Sequence, residues 1–191
     1  MRILFALLLS LLAATAWAQP GTGTLDAASV QHYLFDAARA GKTDLVADLL
    51  KAGAPVDAAN GAGHTALILA VYNGRLDTAD TLLKAGADPN LGDRRGNTAL
   101  MGAIFKGEES LVQRLLADPR TRVDARNGAG QTAAMFAALF GKRSVIEQLA
   151  ARGADFALAD AAGQTAQKLA LQQGNGELAA YLQQLSGKPR H

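Results

Sequence analysis

The side chains that most often carry chemistry are sparse in this sequence. It contains no cysteine, which removes disulfides, thiolate metal sites, iron–sulfur ligation and cysteine nucleophiles together. Its three histidines, His32, His64 and His191, are far apart in the chain. None lies in a His-Glu-x-x-His run, and neither a Gly-x-Ser-x-Gly elbow nor a Gly-x-x-x-x-Gly-Lys loop occurs. Gly21-Thr22-Gly23 precedes no helix pattern that could use it to hold a phosphate. The Asp and Glu residues are spread over turns and polar helix faces and suggest no acid–base pair. The expectation is a protein that is not an enzyme, with no catalytic residue, no cofactor and no metal. Nineteen basic against 17 acidic residues give a formal charge of +2, too balanced to suggest nucleic acid as a partner. Binding is the chemistry that remains.

The ends of the chain set its context. Arg2, the apolar run Ile3 to Leu12 interrupted only by Ser10, and the small-x-small ending Ala16-Trp17-Ala18 read as a secretory signal over residues 1–18. The run is shorter than the roughly 20 apolar residues of a spanning helix. Cleavage before Gln19 is expected, with no membrane insertion afterwards. Export without cysteines suits a bacterial periplasm, so the protein is expected there or secreted. Residues 19–28 read as a flexible lead and 186–191 as a tail.

Between these ends the sequence repeats. Gly41, Gly74, Gly107, Gly141 and Gly174 are spaced 33, 33, 34 and 33 residues apart. Each follows an alanine by four (Ala37, Ala70, Ala103, Ala137, Ala170) and precedes a leucine by eight (Leu49, Leu82, Leu115, Leu149, Leu182). A second set places Asn60, Asp93, Asn127 and Asp160 three residues before Gly63, Gly96, Gly130 and Gly163, with Thr65, Thr98, Thr132 and Thr165 two residues after. Asx-x-x-Gly closes a tight turn and the threonine caps a helix start. The inter-helix glycine ends that helix in a left-handed conformation. A second helix follows, with apolar residues at 3–4 spacing such as Leu45, Val46, Leu49 and Leu50. Gly53-Ala54, Gly86-Ala87 and Gly153-Ala154 then end it.

On these residues the chain resembles an ankyrin-repeat protein, of the small exported bacterial type. Asp93-Arg94-Arg95-Gly96-Asn97-Thr98-Ala99-Leu100-Met101-Gly102-Ala103 and Leu82-Leu83-Lys84-Ala85-Gly86-Ala87-Asp88 carry the pattern. The expected fold is an all-α solenoid of five helix-turn-helix units with short β-turn or hairpin loops, over 29–185 (29–58, 59–91, 92–125, 126–158 and 159–185). The family proline is replaced by Ala66, Ala99, Ala133 and Ala166, and the family histidine by Ile68, Met101, Met135 and Lys168. The third unit ends on Ala117-Asp118-Pro119-Arg120-Thr121-Arg122-Val123 instead of Gly-Ala, one residue longer, which explains the 34-residue step. The last unit carries polar Gln167, Lys168 and Gln183, as the open end of a stack requires.

The resemblance implies that partners bind the concave side, at the turn tips, at the position before the threonine and at the two positions before the inter-helix glycine. Carried over, these give Arg39, Tyr72-Asn73, Arg94-Arg95, Phe105-Lys106 and Leu139-Phe140 as the partner-binding residues. Tyr72, Phe105, Leu139 and Phe140 form an apolar stripe across the three middle units, and Arg94, Arg95 and Lys106 a basic rim. Aromatics are only 5% of the chain, so three of them on one predicted edge suggest an interaction surface, suited to a protein patch with acidic groups. The functional expectation is a monomeric protein–protein interaction module in the periplasm. The alternatives are an inhibitor or immunity protein for a periplasmic enzyme or toxin, or, from the resemblance alone, an accessory factor in catalase-linked oxidative-stress protection.

Overall fold

The computed structural model describes residues 27–187. The expected signal segment, most of the lead and His191 lie outside the described residues. Within them the chain is all-α, ten helices in five antiparallel pairs. The first helices are α1 (Ala27–Ala40), α3 (Ala66–Tyr72), α5 (Ala99–Lys106), α7 (Ala133–Leu139) and α9 (Ala166–Gln172). The second helices are α2 (Thr43–Lys51), α4 (Leu76–Lys84), α6 (Glu109–Ala117), α8 (Arg143–Ala151) and α10 (Gly176–Ser186). Helix α1 opens two residues before the first unit expected from the periodicity, because Ala27 and Ala28 continue it backwards.

The local signals act as their chemistry requires. Thr65, Thr98, Thr132 and Thr165 have extended backbone, and each hydroxyl accepts the N–H three residues on. The five inter-helix glycines lie at φ between 64° and 75°, where a Cβ would be strained. Helices of seven to nine residues are marginal in isolation, so packing must hold them. The first helices pack in one row, α1 on α3, α3 on α5, α5 on α7 and α7 on α9, and the second helices α2, α4, α6 and α8 form a parallel row. Ala37, Ala70, Ala103, Ala137 and Ala170 are all buried and let the rows close up. Leu82, Leu115, Leu149 and Leu182 are fully buried, and half-buried Leu49 packs against the same core.

The third unit stops its second helix by different means. Asp118, at the end of α6, is extended and carries no left-handed glycine. Its carboxylate accepts the Arg120 N–H at 3.0 Å and pairs with the Arg120 guanidinium at 2.6 Å. That guanidinium also donates to the Leu83 carbonyl of the unit before, at 3.0 Å. The buried Thr121 hydroxyl donates to the Leu115 carbonyl at 2.7 Å. Side chains here satisfy carbonyls that a Schellman glycine would otherwise leave to the backbone.

Candidate functional site

The turns between units form one wall of the site. In each, the Asx side chain closes the loop on itself: Asp93 Oδ1 accepts the N–H groups of Arg95 and Asn97 at 2.8 and 2.9 Å. Asn60, Asn127 and Asp160 do the same in their turns. Successive tips are joined by main-chain bonds. Arg94 N donates to Ala62 O (3.1 Å), Gly128 N to Arg95 O (2.7 Å) and Ala161 N to Ala129 O (2.9 Å). The side chain of Asn127 donates to Asn97 Oδ1 at 2.9 Å. Isolated antiparallel bridges Ala59–Thr65, Gly92–Thr98 and Ala159–Thr165 are the only extended pairing among the described residues.

A groove of about 930 Å³ lies between these tips and the first helices of the three middle units. Its floor depends on a glycine inside a helix. Gly102 is buried in α5, at the position held by Leu69, Phe136 and Leu169 in the second, fourth and fifth units. A Cβ there would lie 3.1 Å from the Tyr72 ring. The missing side chain lets Tyr72 reach across from α3 and lie on the α5 backbone. Tyr72 is thereby half-buried, with its ring 6.0 Å from that of His64. Burial, with a smaller contribution from Asp93 and against the opposing effect of Arg95, pushes its phenol above the usual tyrosine range. The phenol is therefore a neutral donor and acceptor at ordinary pH.

The expected site residues do not all share this groove. Tyr72, Arg94, Arg95 and Phe105 line it. Phe105 is 55% exposed and packs edge-on against Phe140, centroids 5.6 Å apart. Phe140 is itself exposed and supports Phe105 from outside the groove lining. Leu139 is half-buried against the core. Asn73 is occupied locally, its amide donating to the Leu69 carbonyl at 2.8 Å. Arg39 lies on α1 and pairs with Asp36 at 2.7 Å. Lys106 is exposed at the end of α5 beside Phe105.

The groove also recruits His64, Asn97 and Gln131, each at the position before a capping threonine, the turn residue Asn127, and Phe136, which the repeat pattern does not single out. Phe136 is half-buried, and its periodicity alone reads as core. The signal that would have found it is the change Leu69, Gly102, Phe136, Leu169 at one repeat position, a cavity beside a bulky ring. Among the described residues no group of three or more His, Asp or Glu is arranged to hold a metal ion. No described helix is long and apolar enough to cross a membrane.

The family model described as Ankyrin repeats (3 copies) matches residues 34–127 and 100–189. The chain therefore belongs to the ankyrin-repeat family. Ankyrin repeats are in general protein–protein interaction modules and typically not enzymes. The chain has no match among curated proteins.

Proposed function

We propose that this protein is exported to the periplasm and there, as a monomer, binds a partner protein through the concave face of its stack. The observation that carries the reading is Phe105. It is a large apolar ring more than half exposed, at a position the fold does not need, held in place by a second exposed ring. Rings so placed gain free energy when a partner covers them, and aromatic anchors dominate interface energetics.

The test is affinity capture from periplasmic extract with the wild type and with Phe105→Ala/Phe140→Ala. A partner retained by the first and lost by the second is the expected result. Substitutions this exposed should change stability by no more than about 1 kcal/mol, so equal melting curves separate lost binding from lost folding. Equal retention would place the interface elsewhere. Export is tested separately by sequencing the N-terminus of the periplasmic protein, which should begin at Gln19. A chain that keeps Met1 and stays in the cytoplasmic fraction would reject that half of the reading.

A further inference from the structure

The tips bordering the groove are almost bare. The two residues between Asx and Gly are Gly61-Ala62, Gly128-Ala129 and Ala161-Ala162 in three units, but Arg94-Arg95 in the third. Two guanidinium groups therefore stand alone on a row of backbone and methyl groups. Neither forms an ion pair or side-chain hydrogen bond among the described residues. Of the lining residues only Asp93 carries opposite charge. Its oxygens accept from the Arg95 and Asn97 N–H groups and from the Asn97 amide and form no ion pair with either guanidinium, and its single charge leaves the two arginines in excess. Below this rim the Tyr72 ring lies in the Gly102 notch, and with Phe105 and Phe136 it gives the groove an apolar lining.

We propose that the groove receives an extended acidic segment of a partner protein, its carboxylates on Arg94 and Arg95 and one aromatic or aliphatic side chain among Tyr72, Phe105 and Phe136. The inference rests on the concave-face reading above and specifies its ligand. Length follows from geometry. The lining runs from the tip of the second unit to that of the fourth. Two inter-helix spacings of about 10 Å each are crossed by about six residues of extended chain. Asn127 is spent on its own turn, on Asn97 and on Gln131, but the Gln131 side chain lines the same groove and its amide N–H groups can donate to a bound main chain. Arginine forks suit carboxylates through paired hydrogen bonds. Single-stranded nucleic acid would also use rings and arginines, but it needs a cationic track along its whole backbone, and the residues between Asx and Gly in the flanking tips, Gly61-Ala62 and Gly128-Ala129, carry no charge.

The probe is an end-capped, fluorescently labelled hexapeptide with glutamates flanking one phenylalanine, titrated into the full-length processed protein and read by anisotropy. It should bind, more weakly as salt rises. Arg94→Gln or Arg95→Gln should each weaken it about tenfold, the loss of one charge-assisted contact. Replacing the peptide's phenylalanine by alanine should weaken it comparably, as should Phe105→Ala. A lysine-for-glutamate peptide or an oligothymidylate of matching length should not bind. If either binds as well as the acidic peptide, or if both arginine variants keep full affinity, the acidic-segment inference is overturned. The concave-face reading survives that result when Phe105→Ala still abolishes capture of the partner, and fails with it when capture is also unchanged.

Discussion

Asp118 is the residue whose charge most directly supports the fold. Arg120 beside it holds its carboxyl below the ordinary carboxylate range, against the opposing effect of burial. Asp80 is held low in the same direction, first by Lys84 and then by Arg114, which reaches it from the next unit at 2.6 Å. A lowered folded-state value means that the charged form is favoured by folding. That stabilisation is complete above the unfolded-chain value of about 3.9 and is lost as pH falls through the lower folded value. Melting temperature should therefore fall on these groups' account only below about pH 4. Asp118→Asn should lower stability at neutral pH and make the acid limb shallower. An unchanged acid limb in that variant would show that the pair contributes nothing. Gly63, at a tip, and Gly53, just after α2, offer a controlled comparison. Both have positive φ, but a Cβ on Gly53 meets nothing within 4 Å, while one on Gly63 would lie 2.6 Å from the Arg94 nitrogen. Gly53→Ala should cost about 1 kcal/mol. Gly63→Ala should cost more, because the next unit's backbone must move, and denaturant titration measures the difference.

Among elements, α5 and its neighbours hold the sharpest coupling. Gly102→Leu restores the residue type found at 69 and 169, yet it should destabilise by about 1–3 kcal/mol through overpacking against Tyr72. Adding Tyr72→Ala should recover part of that loss. The two changes would then be non-additive in a double-mutant cycle, whereas simple additivity would show that the ring does not occupy the notch. The same elements show what sequence could and could not convey. Caps, glycine stops and helix pairing were readable, because each depends on one residue type at a fixed local position, such as Thr98 or Gly107. The altered stop after α6 was visible as an insertion, but its means were not: Arg120 reaches back to Leu83, a contact 37 residues away along the chain. The groove was readable only in part. Phe105 declared itself by standing where the fold asks for nothing. Phe136 did not, since an apolar residue inside a short helix looks like core. Arg39 and Asn73 stand within the two positions before an inter-helix glycine, yet their polar groups are spent on Asp36 and Leu69.

Among the described residues, every substantial helix contact lies within a unit or between neighbouring units, so the cohesion of the stack is a chain of neighbour interfaces. The inner units are covered on both sides and the outer ones on one. Leu171 in α9, 55% exposed, shows what an uncovered side looks like. Hydrogen exchange should accordingly be slowest at amides of α5, α6 and α7 and fastest in α1 and α10. Uniform protection along the chain would mean that the units unfold as one block. Convex-side links such as Arg143 to Glu177 at 3.1 Å and Thr43 to Thr78 at 2.8 Å join adjacent units. Being exposed, the Arg143 pair should contribute little.

Residues 94 and 95 join the neighbouring tips through their main-chain atoms, so scaffold integrity does not depend on which side chains stand there. Mutational drift there is nearly free of folding cost. A lineage could retarget this protein by rewriting two codons, exchanging its ligand preference while inheriting the architecture intact.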